Sequence, residues 1–182
     1  GSIIEGATGQ SYKASEAGTY KVKVTTGSLK EAYSNEVDIN SYTVSYNVNG
    51  GTGSIGNTTK VQDIKTNITS VEPTKSGYTF IGWSTSATAK TVEYAKGSEY
   101  NLNENKTLYA IYKKTVTLTF NGNGATIDKT SVSCDMYNAE TSCSITTPTI
   151  TRSGYTIIGY NTSASAITSA VGSNKTISVS SN

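Results

Sequence analysis

An internal repeat is the feature that most constrains how this chain folds. Residues 75–89 read KSGYTFIGWSTSATA, and residues 152–166 read RSGYTIIGYNTSASA. Upstream of each copy, apolar and polar residues alternate and end in an Asn-Gly turn, at 42–51 and 116–124. The repeat is about 70 residues long, which predicts two small tandem modules.

The alternation and the turns both predict β structure. Asn and Gly tolerate the positive φ of tight hairpin turns, and no segment shows helical periodicity. We expect a mainly β, elongated arrangement of three units: residues 1–41, 42–114 and 115–182. The first repeat closes with an apolar strand at 107–112, whereas the second reaches Asn182 without a counterpart. We therefore expect the second repeat to lack its last strand.

The second repeat has a longer arm that holds both cysteines of the chain, Cys134 and Cys143. The polar stretch between them can turn between two β-prone segments, which favours a cross-strand disulfide. Closing a loop of about ten residues would stabilise the fold by roughly 2.5 to 3 kcal/mol. The alternatives are two free thiols or a metal site, although two sulfurs without His or further Cys do not complete a zinc site. A disulfide indicates an oxidising, extracellular setting.

Residues 1–41 form a separate unit. Tyr20, Val22 and Val24 alternate with lysines, and Val37 and Ile39 alternate with acidic residues. The acid-x-Gly-x-Tyr pattern that ends at Tyr20 resembles the tyrosine corner of immunoglobulin-like domains. We expect these residues to be the C-terminal strands of an immunoglobulin-like sandwich, since about 40 residues cannot bury a sandwich core alone.

Composition points away from catalysis and from nucleic acids. The chain has no His, which removes the commonest general base and metal ligand. It has one arginine, Arg152, whereas nucleic-acid recognition depends on clustered Arg and Lys. No apolar run reaches the length of a membrane span. We expect no catalytic residue, no metal and no cofactor.

Three sequence blocks carry a resemblance to a known family: VSYNVNGGTG at 44–53, PTKSGYTFIGW at 73–83 and TLYAIY at 107–112. In this order and spacing, residues 42–114 resemble the Listeria–Bacteroides repeat, also called the internalin B-type repeat. Residues 115–182 resemble a divergent copy, in which Tyr160 replaces the tryptophan. The resemblance implies small β-grasp-like modules, found in tandem on bacterial surface proteins, often adhesins, with no family-wide catalytic residues.

Other candidate sites are weaker. Residues 51–56 match G-x-G-x-x-G, but no helix pattern follows to hold a phosphate. The aromatics at repeated positions, Trp83 and Tyr160 among them, are interpreted mainly as core and alternatively as ligand-contact residues. No local sequence pattern marks a covalent Lys–Asn crosslink.

These patterns together predict a non-enzymatic segment of a bacterial cell-surface protein, acting as a stalk or adhesin repeat region. Its partner would be a protein or glycan on a host or neighbouring cell. The incomplete ends also predict strand-mediated self-association. The alternative is a glycan- or host-ligand-binding module that uses exposed aromatic residues.

Overall fold

Every regular element in residues 2–28 and 30–180, which the computed structural model describes, is a β-strand. The expected mainly β fold is confirmed. Gly1, Leu29, Ser181 and Asn182 belong to the expected units 1–41 and 115–182 but lie outside the described residues. The fifteen strands in the described residues are β1 (Gly18–Tyr20), β2 (Lys23–Thr25), β3 (Glu31–Tyr33), β4 (Val37–Ile39), β5 (Ser41–Asn47), β6 (Thr58–Val61), β7 (Thr66–Asn67), β8 (Thr79–Ser84), β9 (Glu99–Tyr100), β10 (Lys106–Thr119), β11 (Thr126–Ile127), β12 (Ser131–Tyr137), β13 (Ser142–Thr146), β14 (Ile150–Thr151) and β15 (Thr176–Ser180).

One long strand, β10, belongs to both repeats. Its first half pairs in parallel with β5 on one edge and antiparallel with β8 on the other. Its second half pairs antiparallel with β12, on the edge that β5 leaves free. With β6 beside β5, these strands form a five-stranded sheet. The expected boundary between residues 114 and 115 therefore lies inside a continuous strand of 14 residues.

The core of the first repeat is aromatic and lies against β5, β8 and β10. The Trp83 ring packs against Tyr46 and Phe80, with ring centroids 5.0 and 5.2 Å apart. Offset and edge-on aromatic pairs of this kind contribute beyond their buried area. The fully or nearly fully buried members of this core are Val44, Ile68, Trp83, Tyr100, Leu108, Ala110 and Tyr112.

The two repeats use the same turn after their first strand. Asn49 and Asn123 have φ of 48° and 49°, in the left-handed region that Asn tolerates. Each donates its backbone N–H to the side chain of an Asn two residues earlier, at 2.8 Å. Each also donates from Nδ2 to a backbone carbonyl, of Ala87 and Ala164 respectively. The local sequence thus determines the same turn twice.

The second repeat has a thinner core. Met136 and Ile145 are buried, but Tyr155, Ile158 and Ile167 are exposed. Its final described strand, β15, pairs only with β13. Among the described residues, the second repeat contains no counterpart of the parallel pairing between β5 and β10.

Residues 2–41 form two small ladders, β1 with β4 and β2 with β3. Val22, Val24 and Val37 are exposed, so these ladders bury little apolar surface among the described residues. The Tyr20 hydroxyl donates to the Glu16 carbonyl at 2.8 Å. This bond has the form of a tyrosine corner.

Candidate functional site: the junction between the repeats

The cysteine arm, residues 131–146, is the main structural difference between the repeats. Cys134 and Cys143 are joined by a disulfide, with their Cα atoms 5.9 Å apart. Their strands do not pair with each other, since β12 pairs with β10 and β13 with β15. The disulfide therefore links two sheets, whereas the sequence suggested a brace within one hairpin.

The tip of the cysteine arm docks on the first repeat through Asn138. Its N–H donates to the Tyr112 carbonyl, and its Oδ1 accepts the Tyr112 N–H, both at 3.0 Å. Its Nδ2 donates to the Ala89 carbonyl at 2.7 Å. Asn138 is 6% exposed and has φ of 52°. The backbone N–H and both side-chain groups of Asn138 thus contact the other repeat.

Between the end of β5 and the end of β12, two Asn side chains form hydrogen bonds to the backbone of β10 along its edge. Asn49 Nδ2 donates to the Ala110 carbonyl at 2.8 Å, just past the last residue of β5. Two residues further along, Asn138 forms hydrogen bonds with both the N–H and the carbonyl of Tyr112. Unpaired buried backbone groups are costly, so these two residues allow β10 to pass from one repeat to the next without a gap in its hydrogen bonding.

Charged and aromatic groups surround this contact. Lys75 Nζ donates to the Asn138 carbonyl at 2.6 Å, and the Tyr78 hydroxyl donates to the Glu140 carbonyl at 3.0 Å. Lys90 forms an ion pair with Glu140 and lies 5.8 Å from the centre of the Tyr137 ring. Lys90 and the Tyr137 N–H lower the pKa of the Glu140 carboxyl. Opposite charges therefore meet at the junction.

A second ion pair lies along β10 and β12. Lys113 Nζ is 2.7 Å from Asp135 Oδ2, and the Thr115 hydroxyl donates to Asp135 Oδ1 at 2.6 Å. The Lys113 ammonium and then the Thr115 hydroxyl lower the pKa of the Asp135 carboxyl. Both groups are partly exposed, so the pair positions the arm more than it stabilises it.

Trp83 and Tyr160 lie at equivalent positions in the two repeats. The Trp83 N–H donates to the Tyr94 carbonyl at 2.9 Å, and the Tyr160 N–H donates to the Val171 carbonyl at 2.7 Å. Trp83 is fully buried, which fits its main interpretation as a core residue and leaves no exposed ring face for a ligand. Tyr160 is half-buried, with its ring edge-on to Phe120 and its hydroxyl donating to a backbone carbonyl. Both side chains serve the cores of their repeats.

The two lysines at the junction contact groups of the cysteine arm: Lys75 contacts a backbone carbonyl and Lys90 a carboxylate. In the described part of the chain, no three His, Cys, Asp or Glu side chains converge as metal ligands do. No helix among these residues has the length and apolar character needed to cross a membrane.

Sequence reasoning identified the cysteines but missed Asn138, Lys75 and Lys90. Each makes its contact with a residue far away in the chain, so no local pattern marks it. The only available signal was the length of the cysteine arm, which exceeds that of its counterpart in the first repeat.

A comparison with family models matches the Listeria-Bacteroides repeat domain twice, at residues 42–111 and 117–182. The residues between the two matches, 112–116, all lie in β10 at the junction. Comparison with curated proteins and with solved structures finds no match. The two family matches cover most of the chain, and the chain therefore belongs to the Listeria-Bacteroides repeat domain family, in two tandem copies.

Proposed function

We propose that this chain is a non-enzymatic, extracellular segment of a bacterial surface protein, in which the repeats act as a stalk or adhesin region. The family is typical of bacterial surface proteins, which supports the location. The disulfide fits an oxidising compartment. Its partner in this proposal is a protein or glycan on a host or neighbouring cell.

The observation that carries the proposal is the continuity of β10 through both repeats. A flexible linker would let each repeat reorient, whereas a shared strand fixes one repeat relative to the next. Asn138 and the charged groups around it add a second attachment. Two attachments suit a segment that must hold a distal domain away from a surface.

The pairing of β5 with β10 also suits a load-bearing role. These strands are parallel and neighbouring, and they lie at the start and the end of the first repeat. Tension along the chain pulls β5 and β10 in opposite directions along their length. The hydrogen bonds between them are then loaded together rather than one after another.

Finer features of the family resemblance remain part of the proposal. The sheet places β5 and β10 in parallel between β6 and β8, an order that supports a β-grasp-like module without a helix in the described residues. The bond from the Tyr20 hydroxyl to Glu16 supports an immunoglobulin-like origin for residues 1–41.

Single-molecule pulling tests the stalk proposal. The oxidised chain is held at its two ends, and the force at which the first repeat ruptures is recorded. As a control, the same chain is held at Ser41 and Val61, which lie opposite each other across β5 and β6 and unzip bond by bond. We expect a rupture force several times higher in the end-to-end geometry. Equal, low forces in both geometries would contradict a load-bearing role.

The ligand-binding alternative now depends on a different aromatic residue. Tyr155 is 66% exposed, and the Arg152 guanidinium lies 4.3 Å from the centre of its ring. An exposed aromatic face beside a hydrogen-bond donor suits a sugar ring. Binding on a glycan array that is lost in Tyr155→Ala and kept in Tyr33→Ala, which removes another exposed tyrosine, would favour this function over a passive stalk.

A further inference from the structure

The first repeat buries a lysine that the junction does not use. Lys60 lies on β6 and is fully buried. Its Nζ donates to the Val61 carbonyl at 2.7 Å and to Asn103 Oδ1 at 2.9 Å. No carboxylate of the described residues lies within ion-pair distance of Nζ. The side chain is thus held out of water with its Nζ against the Asn103 amide, and a lysine amine can act as a nucleophile towards a carbonyl carbon.

The amide that Lys60 contacts is held at both ends by Asp63. The Asp63 N–H donates to Asn103 Oδ1 at 3.0 Å. The Asp63 carboxylate accepts a hydrogen bond from Asn103 Nδ2 at 2.7 Å. The Asn103 carbonyl oxygen thus has a backbone donor besides the Lys60 amine, and this donor would stabilise negative charge that develops on the oxygen. The nitrogen that would leave donates a hydrogen bond to a carboxylate, which holds it in place.

The segment that carries Asn103 is itself fixed. Asn105 Oδ1 accepts the Thr43 N–H at 2.8 Å, which ties the segment to β5. The Tyr100 hydroxyl donates to the Glu104 carbonyl at 3.3 Å, from a fully buried ring. Reacting groups that are held in contact react far faster than free ones.

We propose that Lys60 and Asn103 form an intramolecular isopeptide bond. Nζ attacks Asn103 Cγ, the new Nζ–Cγ bond forms, and the Cγ–Nδ2 bond breaks. The proton that Nζ loses in forming this bond passes to Nδ2, which the Asp63 carboxylate holds by a hydrogen bond, and Nδ2 leaves as ammonia. The product is a secondary amide, and no oxidant, reductant or cofactor is consumed.

Comparison of the two repeats supports this assignment independently. Lys60 lies opposite Tyr42 in the pairing of β5 with β6. Cys134 lies opposite Val116 in the pairing of β10 with β12. The shared turns at Asn49 and Asn123 place Tyr42 and Val116 at the same position of each repeat. The position that carries a covalent disulfide in the second repeat is therefore occupied by Lys60 in the first.

The intact mass of the native, oxidised chain tests the proposal. Loss of one ammonia lowers the mass by about 17 Da relative to the disulfide-bonded sequence. Protease digestion should yield a branched peptide that joins the segment around Lys60 to the segment around Asn103. A succinimide at Asn103 would also lose ammonia but would leave linear peptides. The full sequence mass, or the lower mass with linear peptides only, would overturn the proposal.

Single substitutions then test the roles of Lys60, Asn103 and Asp63 in forming the crosslink. Lys60→Arg, Asn103→Ala and Asp63→Ala should each have the full mass expected for their sequence and no branched peptide. Lys65→Arg is the matched control, because Lys65 is exposed and pairs with Glu99. It should retain the mass loss. An Asp63→Ala chain that still contains the branched peptide would overturn the role of Asp63, and the wild-type mass decides the crosslink even if a variant fails to fold.

Discussion

Replacing Asn138 with Ala tests whether the cysteine arm stabilises the first repeat. The substitution removes the acceptor of the Tyr112 N–H and the donor to the Ala89 carbonyl. It leaves the disulfide and the strand pairing of β10 in place. The residue belongs to the second repeat, but the groups that lose their partners belong to the first.

The expected loss of stability follows from these groups. The Tyr112 N–H is buried, and a buried backbone group without a partner costs about 1–3 kcal/mol. Ala at φ of 52° adds about 1 kcal/mol, because a Cβ without a polar group disfavours the left-handed region. The Ala89 carbonyl is half-buried and can bind water instead. We expect a total of about 3 kcal/mol.

Urea unfolding followed by tryptophan fluorescence measures this loss of stability in the first repeat. Trp83 is the only tryptophan and lies in the core of the first repeat. A loss of about 3 kcal/mol moves the urea midpoint down by roughly 1–3 M for a small domain.

Asn174→Ala is the matched control. Asn174 also has φ of 52°, but it is exposed and only its backbone N–H forms a bond, to Pro148. It should leave the Trp83 transition unchanged. If Asn138→Ala moves that transition no further than Asn174→Ala does, the arm does not stabilise the first repeat and the reasoning is refuted.

Three further predictions concern the disulfide and two titrating groups. Reduction of the disulfide, or replacement of Cys134 and Cys143 by Ser, should destabilise the second repeat by about 2.7 kcal/mol on the chain-entropy model. The loss is measured as a lower thermal midpoint, and equal midpoints with and without reductant would contradict it. Burial raises the pKa of Tyr100 to about 12 from 10.0. The contribution of this group to the stability of the first repeat is therefore fully present below pH 10 and is lost as the pH rises towards 12. In Tyr100→Phe, the thermal midpoint should fall less steeply between pH 10 and pH 12 than in the wild type. The same fall in both proteins would contradict this role of Tyr100. The Lys90 ion pair lowers the pKa of Glu140 below 4.5, so the junction is stabilised above that pH and weakens as the pH falls through the lowered value. The protection of junction amides, measured as the intrinsic exchange rate at each pH divided by the observed rate, should therefore fall in acid in the wild type and much less in Glu140→Gln; an equal fall in both would contradict this.

The strands and turns of the repeats were predictable because their causes are local. The alternation from Tyr42 to Val48 and the following Asn49-Gly50 turn predict a strand and a reversal, and both are present. The same local signals recur in the second copy, at Val116–Phe120 and Asn123-Gly124. The cysteines were predictable as a pair for the same reason.

The junction was not predictable because its contacts are not local. Asn138 looks like an ordinary turn residue, and only the fold brings it against Tyr112, 26 residues away. The pairing of Lys60 with Asn103 spans 43 residues and is invisible in sequence spacing.

The central claim is that the two repeats move as one unit across β10. Backbone ¹⁵N relaxation of the whole chain tests it directly, because the rotational diffusion of each repeat is measured independently. We predict that amides of residues 42–113 and of residues 115–180 fit a single diffusion tensor with one axis and one correlation time. Separate tensors, each with the shorter correlation time of a single repeat, would contradict the claim.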